Sequence, residues 1–312
     1  MRIWKALRIV VGVLLVIAGI GCFLYPNIRD RRTQGEVDKI VKTFDTLKHT
    51  ESVAGEDKSE TSDIEKTDSV TKVFPELYAK LQDYNTHLTT SEQAIEDAWD
   101  GANGDFSIDI SEIGSDSIGY IEIPDMKVRL PLYLGTTDDH LAKGAAVVSG
   151  TSMPIGGEDS NCVIAAHRGW RGSAFFQFID RMQAGSKVYI TTPWETLTYT
   201  TVGVDIVDPS DTDSIAIQQG KDMVTLISCH PYVLGGGPER YLVYCERYEE
   251  SSGDTFTDEE TKTLPQIELP ESSDTDDDLL DLEVKLRTIL PAVTLVLCGL
   301  IIFVRSVRNR KK

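Results

Sequence analysis

Cysteine is scarce. Five in 312 residues are too few for a small domain stapled by disulfides. None forms a C-x-x-C pair, so no spacing supports a Cys/His zinc site, and neither a metal nor a cofactor is expected. Basic charge is in deficit. Lys and Arg number 31 against 50 Asp and Glu, for a formal net charge of -19. A nucleic-acid binder needs a basic face to displace counterions, which argues against that class. The Asp274–Asp278 run has no EF-hand loop pattern and reads as solvated linker. What is present is enough for a core: 41% of residues are hydrophobic and 26% charged, which excludes full disorder.

The few cations gather at the ends. Arg2, Lys5 and Arg8 open the chain, and Arg305, Arg308, Arg310, Lys311 and Lys312 close it, with no acid among them. Basic ends around an acidic middle suggest different compartments. Ile9 to Ile28 is uncharged and long enough to cross a bilayer core. Thr288 to Val304 is a second uncharged run at the short end of spanning length. The basic tail after it puts the C-terminus in the cytoplasm. Two spans then put the N-terminus there as well, with the middle outside the cell membrane. A cleaved signal peptide and lipidation at Cys22 are the alternatives; no clean Ala-x-Ala site supports the first.

The resulting organisation is an N-terminal anchor over 1–28, an acidic linker with a possible helix over 29–72, an amphipathic helix and the segment after it over 73–104, a strand-rich domain over 105–250, an acidic linker over 251–286, and a C-terminal transmembrane helix with a basic tail over 287–312. Val73, Phe74, Leu77, Tyr78, Leu81 and Tyr84 recur at helical intervals. A shorter helical piece, Ser91 to Asp97, leads to Trp99, and Gly101 to Gly104 is a break. Short strands follow: Ile118–Ile123, Val128–Leu130, Asn161–Ala166, a hairpin of Lys187–Thr191 with Leu197–Val207, Met223–Ser228 and Arg240–Arg247. One helical piece, Phe175 to Met182, interrupts them. The fold class is mostly β, a closed barrel or sandwich.

Cys229, His167 and Arg240 each sit where an apolar strand meets a loop. Strand ends that meet at one rim are a usual place for a site. A thiolate is a nucleophile, an imidazolium beside it lowers its pKa and can protonate a leaving amine, and a guanidinium can stabilise an oxyanion. Together they fit acyl transfer at an amide carbonyl. His230, next to Cys229, is the weaker base because adjacent strand residues face opposite ways. Arg247 is the second guanidinium, on the opposite face from Arg240. Cys162 and Cys245 read as buried strand residues, with a disulfide left open. Trp170, Phe175 and Phe176 read as packing residues.

Several of these segments resemble the sortases, and specifically the class C, pilus-assembling sortases. Thr225-Leu-Ile-Ser-Cys229 is similar to the family's TLxTC signature, with His230-Pro231-Tyr232 after it. Ala166-His167-Arg168-Gly169 is similar to the class C AGHRG run, Gly150–Glu158 resembles the stretch before it, and Ile118–Pro124 is similar to the family's first strand. The resemblance runs from about Phe74 to Tyr248. It implies an eight-stranded sortase β-barrel. It also implies a membrane-anchored cysteine transpeptidase that cleaves an LPXTG-like sorting signal. Cys229 would hold the acyl group as a thioester, His167 would be the acid/base partner, and Arg240 would stabilise the oxyanion. The partners implied are an LPXTG-type pilin and the Lys amine of the next pilin, in a Gram-positive bacterium.

Asp97-Ala98-Trp99 stands where class C members carry an Asp-Pro-aromatic lid. Asp97 is expected to pair with Arg240, and Trp99 to cover Cys229. Ala98 in place of Pro loosens that turn. The rival readings are a sortase that anchors single proteins to peptidoglycan, a cysteine hydrolase, and a non-enzymatic surface adhesion module. The last gives no reason for Cys229, His167 and Arg240 at three strand ends.

Overall fold

The computed structural model describes residues 2–54, 73–91, 93–100, 106–170, 173–233, 236–248 and 289–305. The expected linkers over 55–72 and 251–286, the break at Gly101–Gly104 and the basic tail after Arg305 lie outside the described residues. The chain divides into two compact units. One holds Met1–Arg32, Arg171–Ser173 and Leu269–Lys312; the other holds Thr33–Trp170 and Ala174–Glu268.

The second unit is built on a closed barrel. Its strands are β1 (Gly119–Ile123), β2 (Val128–Leu134), β3 (Ala145–Val147), β4 (Ser160–Ala165), β7 (Lys187–Thr191), β8 (Thr196–Val207), β9 (Asp222–His230) and β10 (Glu239–Arg247). They close in the order β1-β2-β3-β4-β9-β10-β8-β7, while β5 (Arg168–Trp170) and β6 (Ser173–Phe175) pair separately. The eight-stranded barrel is the fold class expected. β2 with β3 and β4 with β9 run parallel; the other barrel neighbours run antiparallel.

Side chains alternate across each strand, so β4, β9 and β10 feed two cores. Ile164, Ala166, Val224, Leu226, Tyr241 and Val243 join the main cluster. Val163, Ala165, Ile227 and Leu242 join a second cluster on the other face. That second face is covered by Leu141 from helix α3 (Asp138–Lys143), by Ile215, and by Ile95, Ala98 and Trp99.

Three helical expectations are redrawn. The possible helix expected within 29–72 is the end of one helix, α1 (Arg2–Ala54), so residues 29–54 are helical. Val37, Ile40 and Phe44 recur at helical spacing and are buried, which fixes that part of α1 in the barrel unit. The piece expected over Ser91–Asp97 is not helical. α2 (Pro75–Thr90) stops at Ser91, and an irregular strap follows. Gln93 explains the change, since its amide donates to Gly150 O and accepts from Ile217 N, tying the strap to two loops. The piece over Phe175–Met182 is the end of β6 and one 3-10 turn, Ile179–Arg181. Phe175, Phe176, Ile179 and Met182 are all buried at a spacing one helix face could serve, but Phe175 is held in β6 with a left-handed φ of 45° and Phe176 N–H donates to His167 O, which takes the chain out of helix.

The terminal unit contains a 19-residue stretch, Ala6–Leu24, long and apolar enough to cross a membrane, and a shorter apolar helix, α4 (Ile289–Arg305). The two helices touch through small residues. A Cβ on Gly12 would lie 2.9 Å from Gly299 O, and one on Gly19 would lie 2.7 Å from Ala292 O. Such close backbone approach is how helices pack where no hydrophobic drive separates them from lipid.

Candidate active site

Register brings the three chemical residues together. In the parallel β4–β9 pair Ala165 faces Ile227. His167 and Cys229 each lie two residues further on, so both pass the same rim. In the antiparallel β9–β10 pair Arg240 faces Cys229 directly. Two-residue steps keep a side chain on the same face. His167, Cys229 and Arg240 therefore continue the face of Ala165, Ile227 and Leu242, which the strap covers. Cys229 lies inside β9, whose hydrogen bonding runs to His230, rather than just past its end.

Cys229 is buried, and Arg240 Nη1 lies 3.9 Å from its sulfur. The same nitrogen donates to Gly237 O at 3.2 Å and Glu239 O at 3.0 Å. Burial pushes the Cys229 thiol above its ordinary value, while the Arg240 cation pulls it down. His167 is half-buried and stacks flat on Trp170, with ring centres 4.3 Å apart. Burial pushes its pKa down, against a weaker upward pull from Asp138.

The loop between Cys229 and Arg240 folds tightly against them. A Cβ on Gly237 would sit 1.9 Å from His230 O, and one on Gly236 would sit 3.7 Å from the Cys229 sulfur. Gly235 lies outside the described residues.

The strap enters this site. Asp97 accepts from Arg240 Nε at 2.6 Å and from Nη2 at 2.7 Å. This forked pair has side chains only 9% and 15% exposed, a strong arrangement for a guanidinium and a carboxylate. Asp97 also accepts from the backbone N–H of Trp99, closing a short turn that needs no proline. The Trp99 indole N–H donates to His167 Nδ1 at 3.3 Å, and the Arg240 guanidinium lies 4.8 Å over the indole ring. Trp99 thus reaches the site through the imidazole and the guanidinium.

Other sequence candidates lie elsewhere. Arg247 is at the far end of β10, over the Tyr199 ring and 3.9 Å from both Glu195 and Asp222. Cys162 and Cys245 are buried free thiols, not a disulfide. Sequence reasoning singled out no role for Arg168. Its side chain is only 4% exposed and pairs with Asp180 at 2.7 Å. An arginine just past a strand carries no period that separates a surface turn from a buried pair. Trp170, read as a packing residue, is the platform for the His167 ring.

A Sortase domain family model matches residues 121–248. The chain is 30% identical over 130 residues to Sortase D of Bacillus subtilis, covering 41% of this chain and 63% of that protein. It is 31% identical over 157 residues to Sortase A of Staphylococcus aureus, covering 49% and 71%. Its fold is similar to that of Streptococcus pneumoniae sortase C, with a TM-score of 0.52, 27% identity, and 68% and 97% of the two chains covered. The match to the Bacillus subtilis protein thus spans less than two thirds of that relative.

Proposed function

The chain belongs to the sortase family, and from that premise we propose that it is a membrane-anchored cysteine transpeptidase that polymerises pilin. Cys229 attacks the Thr carbonyl of an LPXTG-like sorting signal. Arg240 stabilises the oxyanion, and His167 protonates the departing Gly amine as the C–N bond breaks. The acyl group is then held as a Cys229 thioester. A Lys amine of the next pilin attacks it, giving up a proton to His167 as the C–S bond breaks, so that an isopeptide bond forms and Cys229 leaves as the thiolate. Water in place of the amine gives hydrolysis instead.

The observation that carries this reading is the position of Arg240 Nη1, 3.9 Å from the Cys229 sulfur and in strand register with it. A guanidinium there adjoins the carbon under attack, which is the requirement for an oxyanion donor. The strap is the lid. It occupies Arg240 and His167 before substrate does. The Streptococcus pneumoniae sortase C that it resembles has a pilin substrate, which favours polymerisation over single-protein anchoring. Ala6–Leu24 and α4 anchor the enzyme, with both termini in the cytoplasm and the barrel outside.

The full chain in detergent, incubated with an LPXTG-type pilin beside Cys229→Ala, tests this. A Cys229-dependent ladder with Lys-linked junctions is the expected product. Cleavage or thioester without a ladder, even with Asp97 and Trp99 replaced, points to anchoring or hydrolysis. No Cys229-dependent product overturns the enzymatic reading.

A further inference from the structure

The residues that follow His167 and Cys229 are joined to each other. Arg168 Nη1 donates to His230 Nδ1 at 3.0 Å, and Arg168 Nη2 donates to Asp180 at 2.7 Å. One step along an extended chain turns the side chain to the other face. Arg168 and His230 thus leave the face of the catalytic pair for the inner one, where Tyr241 belongs to the main core. The guanidinium lies 5.6 Å over Tyr241 and 5.9 Å over Tyr232, and the His230 ring lies 5.8 Å from that of Tyr241.

We propose that Arg168, clamped between Asp180 and His230, is a positioning residue that sets the spacing of His167 and Cys229. This rests on the reading of those two residues as the acid/base and nucleophile. The bond between Arg168 and His230 ties the same two backbone segments one residue further on. Asp180 holds the guanidinium from the 3-10 turn Ile179–Arg181. Phe176 N–H donates to His167 O at 3.0 Å, fixing the chain just before that turn to the carbonyl of His167.

The chemistry requires an arginine. Its planar fork serves a carboxylate and an imidazole at once, while an ammonium is a single point charge. The guanidinium is buried, so it cannot swing away without stranding the Asp180 carboxylate. An arginine only donates, so His230 Nδ1 accepts and the ring proton sits on Nε2. His230 is thereby committed to the brace and is not a second base.

Full-length Arg168→Lys, His230→Leu, His230→Asn and the Arg168→Lys/His230→Leu double variant test this, all in a Trp99→Ala background that opens the strap. The first readout is steady-state cleavage of an LPXTG-type peptide. Displacement of a reacting group by about 1 Å costs on the order of a hundredfold, so kcat should fall roughly tenfold to a hundredfold in Arg168→Lys and His230→Leu, with KM nearly constant. His230→Asn supplies an acceptor near Nδ1 and should restore most of the loss. The double variant should be no worse than the worse single, because both break one brace.

The second readout needs no sortase substrate. The pH midpoint of iodoacetamide labelling of Cys229 should shift when His167 is replaced by Ala, and this shift should shrink in Arg168→Lys. Loss confined to KM, full activity in His230→Leu, or multiplying effects in the double variant would each overturn the brace. If no variant cleaves peptide, the enzymatic reading has failed, and the labelling alone decides the brace. If Arg168→Lys unfolds by circular dichroism, the His230→Leu and His230→Asn pair decides it.

Discussion

The indole N–H of Trp99 donates to Nδ1 of His167, so the strap holds the imidazole through a nitrogen that must accept. An imidazolium carries a proton on both nitrogens and cannot accept there. The closed strap therefore opposes the charged imidazole needed beside a thiolate, in addition to occupying Arg240 through Asp97.

Opening the strap should expose the thiol. Hydrogen bonds to charged groups contribute about 1.5–3 kcal/mol, and each 1.4 kcal/mol is about tenfold. Asp97→Ala with Trp99→Ala should raise the rate of Cys229 alkylation by about tenfold to a hundredfold. Mass spectrometry of timed iodoacetamide reactions measures it, and an unchanged rate contradicts the lid.

Arg240 should govern the pH profile of that reaction. Burial favours the neutral thiol and the Arg240 cation favours the thiolate. Labelling therefore rises with pH through a midpoint above the ordinary thiol value. Arg240→Gln removes the favourable charge, so the midpoint should move further up. A downward move would mean that the guanidinium does not act on the sulfur.

Alkaline pH should weaken the barrel through its buried thiols. Burial pushes Cys245 up to about 12, and it also raises Cys162. Above about pH 8.5 the unfolded chain releases these protons and the folded chain keeps them. Stability is thus present below pH 8.5 and falls as pH rises, by about 1.4 kcal/mol per pH unit for each thiol. Urea unfolding at pH 7 and pH 10 should show this loss, and Cys245→Val should remove about 2 kcal/mol of it. An equal loss in the variant would exclude Cys245 as its source.

Phe44 ties the end of α1 into the barrel core, where it is 1% exposed. Phe44→Ala should cost about 3–5 kcal/mol and lower the melting temperature of the barrel. Thr43→Ala, at an exposed neighbouring position, should change it little. Equal melting temperatures for the two variants would mean that α1 is not part of this core.

Gly237 has no room for a side chain, since a Cβ would lie 1.9 Å from His230 O. Gly237→Ala must shift the loop joining Cys229 to Arg240. Peptide cleavage should drop by about tenfold or more, while the far-ultraviolet circular dichroism stays that of the parent. Full activity would show that this loop adapts freely.

The sequence by itself determined most barrel strands, because alternating or continuous apolar runs bounded by turns have few other solutions, while the three-residue β3, β5 and β6 are too short to show a period. Lys187–Thr191 is a strand with the expected ends, and β8 and β10 differ from their expected starts by one residue. It also singled out Cys229, His167 and Arg240 as candidates, because they stand at strand ends and within recognisable segments. It misjudged Ser91–Asp97, where Gln93 ties irregular chain to two loops, and Phe175–Met182, where apolar residues at helical spacing lie in a strand end and a 3-10 turn.

Only the tertiary structure decided what those residues touch. The parallel register of β4 with β9 sets His167 beside Cys229, and 62 residues separate the two in the chain. The Asp97–Arg240 fork spans 143 residues, and the Arg168–His230 bond spans 62. Hydrogen-bond partners of this kind depend on where strands meet in barrel closure. A sequence pattern records the face a residue occupies, and register across distant strands decides which residue lies opposite.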